Sequence, residues 1–152
     1  MAAQHEPDSG VTLVELIIVI AILGVLASAV APVTRFQVKR DKERLLRHDL
    51  WQMRTAIDRY HDIASTGAIQ VKADSFGYPP DLETLVSGVD VQTKKVRFLR
   101  RMYIDPMTGS TDWGLRSNQD DPDADSWGGQ NVFDVHSKST ETALDGTKYS
   151  TW

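Results

Sequence analysis

The chain has 152 residues, a formal net charge of −4 and no cysteine, which admits one ordinary domain with an appendage and excludes disulfides, thiol nucleophiles and cysteine metal sites. Hydrophobic residues make up 41% and charged residues 25% of the chain, and its mild acidity argues against a nucleic-acid binder, which carries a basic face. The apolar residues concentrate between Val11 and Val33, so the remainder can build a modest core but not a large catalytic cleft.

Residues 1–10 carry Glu6 and Asp8 but no Lys or Arg, unlike the basic start of a secretory signal peptide. Of two small-residue sites that a signal peptidase could cut, Ala29-Val30-Ala31 is followed directly by Pro32 and Ala27-Ser28-Ala29 is not. Residues 16–33 contain no charge. As a helix they would run roughly 27 Å at about 1.5 Å per residue, close to the hydrocarbon thickness of about 30 Å. They show no polar face, so the expectation is a membrane-spanning helix rather than a buried core helix. Glu15 stands just ahead of this run; a carboxylate in an apolar segment is costly unless it reaches the headgroups or finds a partner. Pro32 removes one helical hydrogen bond and crowds the preceding turn. Gly24 weakens the helix and lets helices approach closely.

The junction Gly10-Val11-Thr12-Leu13-Val14-Glu15, leading straight into the apolar run, resembles the prepilin processing signature of type IV pilins and type II secretion pseudopilins. The resemblance implies that a dedicated membrane peptidase cuts between Gly10 and Val11 and that Val11 becomes a methylated N-terminus. The family usually has phenylalanine at that position, and Val11 keeps a large apolar residue there. The resemblance also implies that Glu15 pairs with the charged N-terminus at Val11 of a neighbouring subunit, setting the axial register of a filament. Pro32 matches the proline that kinks or locally unwinds the helix in many members. The family topology puts the leader in the cytoplasm. The positive-inside rule alone would put it outside, because Arg35, Lys39, Arg40 and Lys42 follow the run.

From residue 35 to about Ala64 the pattern continues as an amphipathic helix. Leu46, Leu50, Met53, Ile57, Tyr60 and Ala64 recur at spacings of three and four. Arg44, Arg47, Arg54 and Asp58 fall largely on other faces, and Glu43 is spaced to pair with Arg47. Thr66-Gly67 ends the helix. Residues 76–86 read as a turn and a short helix, with Pro80 in its first turn, Asp81 and Glu83 near its positive end, and Leu82, Leu85 and Val86 on its buried side. Residues 96–104 are ambiguous between strand and helix. Asp105-Pro106-Met107-Thr108-Gly109 is a turn. Strands are expected at residues 111–117 and 131–137, with a polar loop between them, and a third near residues 149–152. The fold class is thus α+β, a pilin-like fold in which one long helix packs against a small antiparallel sheet. Its divisions are a leader at 1–10, a transmembrane or filament-core helix at 11–34, and an extracytoplasmic head at 35–152.

The proline turn before a short helix, the Asp-Pro turn, Phe133-Asp134-Val135-His136-Ser137 and Asp145-Gly146 together resemble the major pseudopilin of type II secretion. That resemblance implies calcium held by a loop of the head. Oxygen ligands for it are offered by Asp120, Asp121, Asp123 and Asp125, and by Asp134, Ser137, Thr140, Glu141 and Asp145; a solvated acidic turn is the alternative. His5, His48, His61 and His136 are isolated in sequence, and no nucleophile motif or phosphate loop is present. Trp113, Trp127 and Trp152 suit a small core better than a subunit contact. The expected function is structural and not enzymatic: a subunit of a type II secretion pseudopilus that polymerises through its N-terminal helix to drive export. Alternatives are a surface pilin for adhesion, motility or DNA uptake, and a membrane-anchored periplasmic domain. Implied partners are further copies of the chain, minor pseudopilins, the prepilin peptidase, an inner-membrane assembly platform with its ATPase, and lipid before assembly.

Overall fold

The computed structural model describes residues 10–122, 124 and 126–152, with the backbone alone at 29–33. Helix α1, Leu13–Ser65, is followed by a 3-10 turn at Ala73–Ser75, helix α2 at Leu82–Ser87, strands β1 (Val89–Val91), β2 (Lys94–Val96), β3 (Gly114–Arg116) and β4 (Asp134–His136), and a 3-10 turn at Tyr149–Thr151. The α+β class is as expected. The chain divides between Lys39 and Arg40 into two compact units.

In the first unit residues 16–28 of α1 carry no charge and show no polar face. Its large apolar side chains from Leu13 to Leu26 are each 47–73% exposed. Helical backbone runs on through Pro32, so no local unwinding accompanies that proline. Among the described residues no helix is long and apolar enough to cross a membrane. The expected span reached Val33, and the side chains of 29–33 lie outside the described residues.

In the second unit the expected stripe is the core. Leu46, Leu50, Met53, Ile57, Tyr60 and Ala64 are all buried, joined by Ala56, and they meet Leu82, Leu85, Phe98, Trp113, Val132, Val135 and Tyr149. Spacings of three and four put these side chains on one side of the helix, and burying each Leu or Ile contributes about 1.5–3 kcal/mol. The helix ends at Ser65, where Gly67 takes φ +76, a left-handed conformation that glycine adopts without strain.

Helix α2 starts at Leu82, two residues past the expected Pro80. Asp81 caps it, its carboxylate accepting the Thr84 N–H at 2.7 Å, so Pro80 lies ahead of the first turn. Leu82 and Leu85 are its buried side. The ambiguous segment after it is neither helix nor strand beyond Val96: Phe98 and Leu99 both donate their N–H to the Leu85 carbonyl (3.0 and 2.9 Å), which pins the strand-free chain to α2.

The single small sheet resolves into two antiparallel pairs. Strands β1 and β2 form a hairpin, with Val89 opposite Val96 and Val91 opposite Lys94. Its two-residue turn, Gln92-Thr93, holds Gln92 at φ +56 without the Asn-Gly or Asp-Gly signature that marks such turns; the hairpin is therefore absent from the sequence reading. Strands β3 and β4 pair Gly114 with His136, Leu115 with Val135 and Arg116 with Asp134, inside the two expected strand segments. The expected third strand is instead the 3-10 turn Tyr149–Thr151, and an isolated antiparallel bridge joins Thr142 to Lys148 just ahead of it. Two bonds through Glu43 and Arg54, described below, hold this stretch without a ladder. Of the tryptophans, Trp113 is in the core at 3% exposure, Trp127 is 39% exposed, and Trp152 is half-buried.

A β-carbon at Gly114 would collide with the imidazole of His136. Gly114→Ala must displace that ring from a packed pair of strands, and overpacking of this kind costs about 1–3 kcal/mol. Chemical denaturation of the variant should show that loss with an unchanged m-value.

Candidate functional site

The processing junction lies open at the start of α1. Gly10 and Val11 are exposed, and an added β-carbon at Gly10 would meet nothing within 4 Å. Thr12 precedes the helix and caps it: its hydroxyl oxygen accepts the Glu15 N–H at 3.2 Å, and its carbonyl accepts the Leu16 N–H at 3.1 Å. Thr12 and Glu15 therefore stand at capping-box spacing, a signal in the sequence that the processing motif overshadows. Glu15 sits in the first turn of α1, where the helix dipole favours a carboxylate. The junction thus offers an accessible Gly-Val bond, a defined helix start and a carboxylate one turn on, directly followed by exposed apolar side chains.

The head has its own polar clasp, assembled from residues far apart in sequence. Glu43 was expected to pair with Arg47 along the helix. It is instead buried at 9% exposure, and its Oε1 accepts the Leu144 N–H at 2.8 Å and the Tyr149 hydroxyl at 2.9 Å. Arg47 turns to Asp145, at 3.4 Å, and lies over the Trp152 ring at 4.0 Å. Burial, reinforced by the Glu43 carboxylate, pushes the Tyr149 phenol far above its ordinary pKa, so it stays a donor. Arg54, placed on another face by the sequence reading, is half-buried. Its Nε donates to Asp134 Oδ1 at 2.7 Å, and its Nη2 reaches Asp134 Oδ2, the Val135 carbonyl and the Trp152 carbonyl. Asp105 is fully buried; it accepts the Ser137 hydroxyl at 2.6 Å and the Met107 N–H at 2.8 Å. Glu43, Arg54 and Asp105 escape a reading by sequence spacing because the side-chain partners Tyr149, Asp134 and Ser137 lie more than thirty residues away.

The described calcium candidates do not converge. Asp120 caps its own loop, accepting the N–H groups of Ser117 (2.7 Å) and Gly128 (3.1 Å), bonds that hold its pKa below the usual carboxylate range. Asp121 is exposed, and Asp123 and Asp125 lie outside the described residues. Asp134 is committed to Arg54 and Ser137 to Asp105. Asp145 accepts the Thr147 hydroxyl at 2.6 Å and its N–H at 2.9 Å, which with Arg47 nearby keeps its pKa low. Thr140 and Glu141 are exposed. Among the described residues no three acidic or histidine side chains are grouped to hold a metal ion, and no buried side-chain polar atom lacks a partner. A hard cation needs about six to eight oxygens turned toward it; Asp134, Ser137 and Asp145 are turned toward donors, Thr140 and Glu141 toward solvent, and together they do not fit one.

The model of the prokaryotic N-terminal methylation motif matches residues 7–31. The chain is similar to type II secretion system core protein G of Pseudomonas aeruginosa, with 28% identity over 111 residues, covering 68% of this chain and 70% of that protein. No solved structure matches. The chain is type IV pilin-like, and within that group pseudopilin-like.

His136, half-buried on β4, has its pKa lowered by burial first and then by Arg116. The unfolded chain therefore binds more protons than the fold as pH drops below about 6.5. This contribution to stability is fully present above that pH and is lost as pH falls through the lowered folded value. Thermal unfolding at about pH 7 and pH 5 should show a drop for the natural chain that His136→Gln largely removes.

Proposed function

We propose that this chain is a structural subunit of a type II secretion pseudopilus, cut after Gly10, methylated at Val11 and polymerised through its N-terminal helix. The observation that carries the proposal is the juxtaposition at the start of α1: an open Gly10-Val11 bond, Glu15 one turn later, then apolar side chains from Leu13 to Leu26 that are each 47–73% exposed. Each such side chain left in water forgoes about 1.5–3 kcal/mol of burial, so the segment needs lipid before assembly and other copies of itself afterwards. Similarity to a type II secretion core protein supports this branch over a surface pilin.

In a bundle of such helices Glu15 would be taken out of water. A carboxylate there is tolerated when paired, and the new amino group at Val11 of a neighbouring copy supplies the opposite charge at the same depth. That pairing would make removal of the leader a condition of assembly, since an uncut chain has no charged amine at this position. The head, 35–152, would form the filament surface in the periplasm. The chain would act as a part and not as a catalyst; peptidase, assembly platform, ATPase and minor pseudopilins would be separate proteins.

Intact-mass spectrometry of the protein from its native membrane tests processing: a chain starting at Val11 with one added methyl group is expected, and an uncut chain or one cut near Ala29 or Ala31 would end the proposal. Glu15→Ala tests assembly. It should leave the subunit in the membrane at normal level while filaments and export of secreted proteins are lost. Retained export would instead point to an anchored domain, and loss of long surface fibres with export intact would point to a surface pilin.

A further inference from the structure

We infer that the terminal loop of the head, from Ser137 to Tyr149, is held by two buried carboxylates of the chain itself, Glu43 and Asp105, in the place where a cation would otherwise gather the loop, and that the head folds without calcium. The two ends of the loop carry the argument. At its start the buried Ser137 hydroxyl donates to Asp105 Oδ2 at 2.6 Å while its oxygen accepts the Ser139 N–H at 3.0 Å. At its end the Tyr149 hydroxyl donates to Glu43 Oε1 at 2.9 Å, and the Leu144 N–H reaches the same oxygen at 2.8 Å. Between these points the loop closes on itself: the Ala143 N–H donates to the Thr147 carbonyl at 2.7 Å, and Asp145 Oδ1 accepts from Thr147.

A cation and a hydrogen-bond donor compete for the same lone pairs. Every carboxylate that anchors this loop already faces an N–H or O–H, and a calcium ion would have to displace those donors and meet their positive ends. The charge of the loop argues the same way. From Ser137 to Tyr149, Glu141 and Asp145 are balanced by Lys138 and Lys148, whereas calcium affinity rises with the count of anionic ligands. Asp134, just ahead, is neutralised by Arg54. A buried carboxylate that accepts two donors is a strong tie, because charge-assisted hydrogen bonds are roughly twice as strong as neutral ones, and removing one partner leaves the other unsatisfied.

The test is thermal unfolding of the full chain in detergent micelles, followed by near-ultraviolet circular dichroism, with excess EGTA and with millimolar calcium. The two curves of the natural chain should superimpose. Glu43→Gln should lower Tm by about 4–8 °C or more, Tyr149→Phe should lower it by less, and calcium should restore neither. If Glu43→Gln does not fold, Tyr149→Phe alone reads the tie, since it removes one hydroxyl and keeps the ring. A Tm of the natural chain that falls in EGTA or rises with calcium would overturn the inference, and its abolition in Asp145→Asn would place the cation in this loop. Unchanged Tm in both latch variants would overturn it as well.

Discussion

The constraint on which the head depends is the need to cover the apolar stripe of α1 without leaving a buried polar group unsatisfied. Leu46, Leu50, Met53 and Ile57 are essentially inaccessible to water, and part of their cover is Val132, Val135 and Tyr149, from the distal part of the chain. Short strands and a 3-10 turn bury little backbone of their own, so the cover has to be tied down. Glu43 and Arg54 do this. They stand eleven residues apart on the same helix, about three turns, which brings both to one side of it. Glu43 takes the loop at Leu144 and Tyr149; Arg54 takes β4 at Asp134 and the Trp152 carbonyl. The ties are polar, and the one from Tyr149 to Glu43 is buried while those of Arg54 are partly so.

The two ties also explain why the head needs so little sheet. A pair of three-residue strands is marginal alone. Here β4 rests on the helix through Val135 and is tied to it by the Arg54–Asp134 pair, half-buried and bonded through both carboxylate oxygens. Asp105 plays the corresponding part at the turn before β3, where its carboxylate receives Ser137 from the segment after β4. Helix, turn and terminal loop are thus joined through three ionisable side chains, each engaged with partners inside the head.

The N-terminal unit poses the opposite problem. Its apolar side chains stay exposed, and they need cover from outside the chain, while the head satisfies its own. That division of labour follows from composition: a helix without a polar face cannot be solved by one small domain, and a helix with one can.

Much of this was legible in the sequence because the signals are local. The stripe from Leu46 to Ala64 follows from helical periodicity, the end at Ser65 from Thr66-Gly67, helix α2 from Leu82, Leu85 and the acidic residues near its start, and the junction at Gly10-Val11 from six adjacent residues. The sequence by itself determined the class, the long helix, its buried face and the likeness to pilins, since each rests on side chains within a turn or two of one another. Only the tertiary structure decided what closes the head. Whether Glu43 pairs with Arg47 one turn away or with Tyr149 across the fold, and whether Asp134 faces a cation or Arg54, depends on which groups are shielded from water together. Burial is a property of the assembled chain, and the strength of a polar contact is set by it; spacing along the sequence carries no record of either.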